Sequence, residues 1–187
     1  MIVNYSDLCR CLELDSINYK QMKGIGSVFN HLRTSPISDQ SIIWKYIKTM
    51  RKCEYHMSNI GVWHKLMVKW NLHKLRKLSR ITDFQIPPGT IDAGLTIWHW
   101  GPIIINPAVR IGRNCTLNPM VIIGHKIPGE PAPQIGDNVF IGGGSKIIGA
   151  ITIGNNVTIA PNAVVVKDVP DNCIVGGIPC KIIGHNL

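Results

Sequence analysis

Residues 135–183 read IGDNVFIGGGSKIIGAITIGNNVTIAPNAVVVKDVPDNCIVGGIPCKII, and an aliphatic residue returns every six positions along them, at Ile135, Ile141, Ile147, Ile153, Ile159 and Val165. The same period runs back through Ile123, Leu117, Ile111 and Ile105, with a gap of two periods between Ile123 and Ile135. Glycine follows the aliphatic residue at Gly112, Gly124, Gly136, Gly142 and Gly154. A small or branched residue stands two places before it at Val109, Cys115, Val121, Val139, Ser145, Val157 and Ala163. A six-residue repeat fits neither the 3.6-residue turn of an amphipathic helix nor the alternation of a hairpin sheet. It fits one short strand plus one bend, with the aliphatic side chain inward, glycine at the bend and Asn, Asp or Lys on the outer corner. Stacked, such units predict a triangular prism of parallel sheets around a column of Ile and Val, the hexapeptide parallel β-helix.

Two stretches interrupt the repeat. Residues 126–134 (KIPGEPAPQ) predict a Pro-rich protruding loop, and residues 94–102 (GLTIWHWGP) put Trp98, His99 and Trp100 where an aliphatic core residue is expected. A regular solenoid tolerates insertions only as outward loops, so both stretches are candidates for function. Upstream, periodicity predicts helices over 7–14, 17–32 and 40–57, with a turn at Ser35 and Pro36 and a start signal at Ser38 and Asp39. The chain is therefore expected to divide into a helical N-terminal region, 1–83, and a β-helix, 84–187, from which 126–134 projects.

The 187 residues carry 20 Lys+Arg against 11 Asp+Glu and are 45% hydrophobic, enough apolar mass for a folded domain and inconsistent with whole-chain disorder. No apolar run approaches the roughly 18 residues of a membrane span. The opening MIVNYSDLCRCLELD holds three acids where an export signal would have basic residues and an apolar run. Cys9, Cys11, Cys53, Cys115, Cys173 and Cys180 show no zinc-finger or CxxC spacing and read as reduced packing residues of a cytoplasmic protein.

The charge is uneven. Residues 45–80 hold ten basic residues and one acidic, against four and four in 1–44 and six and six in 81–187. That stretch reads as two amphipathic helices broken near residues 58–61, with Trp63, Leu66, Met67 and Trp70 at helical spacing and Lys65, Lys69, Lys74 and Lys77 among them. The ordinary expectation is a solvated face whose apolar stripe packs on a neighbour. The alternative is weak association of residues 45–80 with a membrane surface, peripheral at the inner membrane. Nothing matches a nucleic-acid motif, and no nucleic acid is expected as a partner.

The repeat array, the helical region ahead of GLTIWHWGPIIIN and the VVxKDVP…GxPxKII ending together resemble the hexapeptide-repeat acetyltransferases. Over nearly the whole chain the likeness is to the serine acetyltransferase branch, and within it to members encoded with surface-polysaccharide machinery. The resemblance implies a mostly β chain with a helical N-terminal region, wound as a left-handed parallel β-helix and assembled as a homotrimer with sites between subunits. It implies acetyl-CoA as cosubstrate and no metal. The family's catalytic histidine in GLxIxH falls on His99, and an imidazole, near pKa 6.5 when free, suits the base needed for acetyl transfer from a thioester to a hydroxyl. Serine acetyltransferases have an Asp just before that histidine; Trp98 stands here, so the orienting partner is expected to be Asp92 or a backbone carbonyl. Trp100 beside the base and His125 at the mouth of the loop are candidates for acceptor contact, His125 alternatively being a solvated loop residue. The resemblance puts the pantetheine arm against Gly143, Ser145, Pro161 and Ala163, where small side chains let a ligand approach the backbone. It puts Lys167 and Lys181 near the nucleotide phosphates.

On the acceptor side the family's RHPKxR stretch, which holds serine, is matched here by EPAPQIG, with Ala132 and Gly136 in place of its His and Arg. A zwitterion needs both charges neutralised, and burying one unpaired costs several kcal/mol. With Trp98 and Trp100 flanking the base, the reading is an acetyl-CoA-dependent O-acetyltransferase acting on a sugar hydroxyl in surface-polysaccharide biosynthesis. Serine O-acetylation is the alternative, and a non-catalytic β-helix scaffold or binding module the second. A β-helical carbonic anhydrase would need three zinc-binding histidines, which His99 and His125 do not supply.

Overall fold

A computed structural model describes residues 2–21 and 39–186. Helix α1 (Tyr5–Gln21) is continuous, so the segments expected over 7–14 and 17–32 join through residue 21. The rest of the second segment, with Ser35, Pro36 and Ser38, lies outside the described residues. A reciprocal cap starts α1: the Asn4 side chain accepts from the Asp7 amide at 2.9 Å while the Asp7 carboxylate accepts from the Asn4 amide at 3.1 Å. Helices α2 (Asp39–Met57) and α3 (Val62–Thr82) follow, parted at Gly61, whose φ of 135° suits glycine alone. Helix α3 ends where Asp83 turns left-handed and its amide donates to the Ser79 carbonyl.

From Phe84 the chain climbs in coils. The first uses β1 (Phe84–Gln85) and β2 (Thr96–Ile97), and the second β3 (Ile103–Ile105), β4 (Arg110–Ile111) and β5 (Thr116–Leu117). The third has β6 (Val121–Gly124), β7 (Gln134–Ile135) and β8 (Phe140–Ile141), and the fourth β9 (Lys146–Ile148), β10 (Thr152–Ile153) and β11 (Thr158–Ile159). Strands β12 (Val164–Val165), β13 (Cys173–Gly176) and β14 (Lys181–His185) complete the stack. They form three faces, β1-β3-β6-β9-β12, β4-β7-β10 and β2-β5-β8-β11-β13-β14, parallel throughout except for β13 with β14. This is a left-handed parallel β-helix. A regular coil is eighteen residues long, as from Phe140 to Thr158, and the loop after β6 lengthens its coil to the twenty-four that separate Arg110 from Gln134.

The six-residue rule is a rule about the interior. All ten aliphatic positions from Ile105 to Val165 are buried, and so are the residues two places before them from Val109 to Ala163. Ser145 is the polar member of that second column, and its hydroxyl is satisfied inside the prism by donating to the Gly142 carbonyl at 2.7 Å, with the Ala160 carbonyl at 3.1 Å. Outside, Asn114, Asn138, Asn156 and Asn172 occupy one corner at φ of 54–58°, a conformation Asn tolerates better than other non-glycine residues. The glycine column has a steric cause beyond the bend: a Cβ on Gly136 would come within 2.6 Å of the Asn155 side-chain oxygen and 2.9 Å of the Gly154 carbonyl.

The helices close the lower end. Ile43, Tyr46, Ile47 and Met50 of α2 and Leu75 and Leu78 of α3 join the same apolar cluster as the prism residues. Here one expectation is corrected: of the stripe Trp63, Leu66, Met67 and Trp70 only Met67 is half-buried, and among the described residues the other three stay exposed, because α3 docks through the face bearing Leu75 and Leu78. A buried ion network fixes the docking. The Arg51 guanidinium contacts Asp15 at 2.8 Å and Glu54 at 3.0 Å, and donates to the carbonyls of Ile91 and Asp92 at 2.6 and 2.7 Å. Asp15 in turn accepts from the amides of Gly94 and Leu95, and Glu54 from that of Gly89.

Gly136→Ala should lower the free energy of unfolding by about 1–3 kcal/mol, the usual cost of overpacking, seen as a lower melting temperature. Gly124→Ala, whose new Cβ would stand 3.6 Å from the Asn106 Cβ, should leave it almost unchanged. Arg51→Ala, which strands Asp15 and Glu54, should cost about 3–5 kcal/mol in the same measurement.

Candidate functional site

His99 stands on the corner between β2 and β3, and that corner is enlarged. Inward-facing Ile97 and Ile105 are eight residues apart, whereas Leu117 and Ile123 on the coil above are six apart. The expectation that Trp98, His99 and Trp100 replace a core residue is therefore corrected: Leu95, Ile97 and Ile103 fill the interior, and the three aromatic side chains are carried outside it, all exposed. The His99 ring has no hydrogen-bond partner among the described residues.

Asp92 does not orient it. The Asp92 side chain is exposed and makes no hydrogen bond to His99, and its backbone is held instead by Arg51 and by the Ile111 carbonyl. What positions the corner is a residue that sequence reasoning passed over. The Tyr19 hydroxyl accepts from the Ile97 amide at 3.0 Å and donates to the Ile97 carbonyl at 3.3 Å, two residues before His99. Its ring stacks on Trp44 with centroids 5.7 Å apart. Burial pushes this phenol well above its usual range, so it remains a donor at physiological pH. No motif marks Tyr19; the only available signal is a tyrosine on the apolar side of a helix that ends near a coil edge.

Above His99 the equivalent corners stack in a column. The Gly144 amide donates to the Pro119 carbonyl and the Asn162 amide to the Gly143 carbonyl, each at 2.9 Å. Gly143 and Pro161 lie along the outside of this column. Ser145 and Ala163 do not, which corrects their expected place beside a ligand: both are fully buried, and small because they face the prism axis. Lys167 and Lys181 are exposed and line one cavity at the last coil with Val166, Pro179 and Ile182.

His125 follows β6 at the other edge of the same face. It lines a groove with Ile104, Asn106, Ile122 and Ile148, and its Nδ1 is buried without a hydrogen-bond partner among the described residues. A single chain thus brings Lys167 to Lys181 but does not bring His125 to His99: the face β1-β3-β6-β9-β12 lies between their corners. Among the described residues no group of three metal-binding side chains converges. The thiols of Cys11 and Cys115 are pushed up to about 12 by burial and serve as packing.

Residues 132–167 match the family described as Bacterial transferase hexapeptide (six repeats). A serine acetyltransferase of Staphylococcus xylosus is 39% identical over 127 residues, 64% of this chain and 59% of that protein. One of Helicobacter pylori is 36% identical over 124 residues, 64% of this chain and 72% of that protein. The solved serine acetyltransferase of Brucella abortus strain S19 in complex with coenzyme A shares the fold, with a TM-score of 0.76 at 23% identity over 98% of this chain and 70% of that one. The chain belongs to the hexapeptide-repeat acetyltransferase family, where its relatives carry the name serine acetyltransferase. It spans only part of those relatives, about half of the Mycobacterium tuberculosis protein, for example, at 48%.

These relatives overturn the reading of a sugar hydroxyl as acceptor, and with it a place in polysaccharide biosynthesis. The fold shows where that reading went astray. Ala132 is turned into the core, and a side chain on the half-buried Gly136 would strike the next coil, so packing alone calls for a small residue at both positions. Their small size is set by the coil and does not by itself identify the acceptor.

Ser145→Ala should lower the melting temperature by the few degrees that about 1 kcal/mol of buried hydrogen bonding represents and leave the KM for an acyl donor unchanged.

Proposed function

We propose that the chain transfers an acetyl group from acetyl-CoA to the hydroxyl of L-serine. The reading is carried by the likeness to relatives named serine acetyltransferase, together with one exposed, unpartnered imidazole on an enlarged corner of the coil. His99 accepts the hydroxyl proton as the serine oxygen attacks the thioester carbonyl. The tetrahedral adduct collapses with cleavage of the C–S bond, and the departing CoA sulfur takes the proton back from the imidazolium. No covalent enzyme intermediate forms.

The cosubstrate lies along the corner column past Gly143 and Pro161, with its phosphates at Lys167 and Lys181. The serine carboxylate is met by the partly exposed His125 and by the neighbouring Lys126. His99 and His125 sit on opposite edges of one face, so they meet when the corner of one prism is set against the next. A homotrimer achieves this by closed threefold symmetry. Free thiols at all six cysteines suit a reducing cytoplasm.

Release of CoA thiol from acetyl-CoA should saturate with L-serine; no release at millimolar serine would overturn the proposal. His99→Ala should lower kcat by about 100-fold or more with little change in the KM for acetyl-CoA. Lys167→Ala and Lys181→Ala should raise the KM for acetyl-CoA but not that for acetyl-pantetheine, which lacks the nucleotide phosphates. Equal losses with both donors would remove the lysines from the site.

A further inference from the structure

Helix α3 has two apolar faces and uses one. Leu75 and Leu78 are buried against α2 and the prism, with Val68 and Leu72 partly buried beside them. On another face, at spacing i, i+3 and i+7, Trp63, Leu66 and Trp70 are 66%, 55% and 55% exposed, and Ile60 just ahead of the helix is 98% exposed. Two large indoles held in water on one helix are costly unless something covers them. Around them α3 carries Lys65, Lys69, Lys74, Arg76, Lys77 and Arg80 and no acidic residue. The Lys74 ammonium lies over the Trp70 ring, 5.0 Å from its centroid, so a cation and an indole already share this face.

We propose that this face of α3 docks on an anionic lipid bilayer, the rings of Trp63 and Trp70 entering the headgroup layer and the lysines meeting lipid phosphates. A second copy docked through the same face is the wrong occupant, because it would set one lysine- and arginine-bearing helix with no carboxylate against another. Residues 22–38 of the same chain bring Lys23 and Arg33 and no carboxylate, so they offer no counter-charge either. The face is convex and its anchors are tryptophans, which suits a fluid interface that needs no shape complementarity; interfacial helices combine Trp and Leu on one side with Lys and Arg on the other.

The test is co-sedimentation of the full chain with vesicles of phosphatidylglycerol and phosphatidylcholine, or of phosphatidylcholine alone, at 0.1 M salt. Binding should favour the anionic vesicles by tenfold or more and weaken at 0.5 M salt. The variant W63S/W70S should lose it while keeping its melting temperature. The variant K65Q/K69Q/K74Q should weaken it by about fivefold for each lysine, or about 100-fold in all. Binding of the native chain no stronger than that of W63S/W70S would overturn the proposal. So would a change of oligomeric state in W63S/W70S by sedimentation velocity, which would make the face a contact between copies. Displacement of the chain from anionic vesicles by neither salt nor lysine substitution would overturn the lipid-phosphate contact, and capture by an acidic protein without vesicle binding would assign the face to a protein instead.

Discussion

Arg51 is the fastening on which the start of the β-helix depends. A guanidinium removed from water gains little net stability from its partners, since desolvation offsets most of the attraction. What it supplies is direction. Two carboxylates from two helices and two carbonyls of the first coil satisfy it only at one docking angle, and the Asp15 carboxylate passes the constraint on to the amides of Gly94 and Leu95. From Leu95 it is two residues to Ile97, where Tyr19 takes hold, and two more to His99. The helical region thus shapes the corner that bears the imidazole.

The prism was legible from the sequence because its period is local: each of Ile135, Ile141, Ile147, Ile153 and Ile159 announces its own burial by the residue six places away. The bonds of Asp15 were not, since its partners Gly94 and Leu95 lie 79 and 80 residues further on and nothing in a helical pattern names a distant amide. Ser145 and Ala163 show a different limit. A small residue is called for both where a ligand approaches the backbone and where the prism axis is crowded, and only coordinates separate the two. Ala132 misled in the same way, its identity set by the core.

The apolar stripe of α3 was visible in the sequence, but which stripe docks was not. Both Trp63-Leu66-Trp70 and Leu75-Leu78 have helical spacing, and larger side chains do not win by size. The inner face is selected by what it meets: the packed ends of α2 and the first coil accept branched aliphatics. The acceptor was the hardest matter to read, because the residues proposed to meet it stand on a corner and a loop at opposite edges of one face.

The two ends of the stack are finished differently, and this bears on the length of the object. A coil of a second molecule could continue the helix only by pairing with all three faces at once, in parallel. At the last coil the chain reverses, and β14 runs antiparallel along β13, so one face presents the wrong direction to an incoming strand. At the first coil the free edge at Ile97 is occupied by a side chain, the Tyr19 hydroxyl taking both its amide and its carbonyl. Parallel β-helices share their backbone geometry with self-propagating fibrils; a reversed strand above and a phenol below make this one finite.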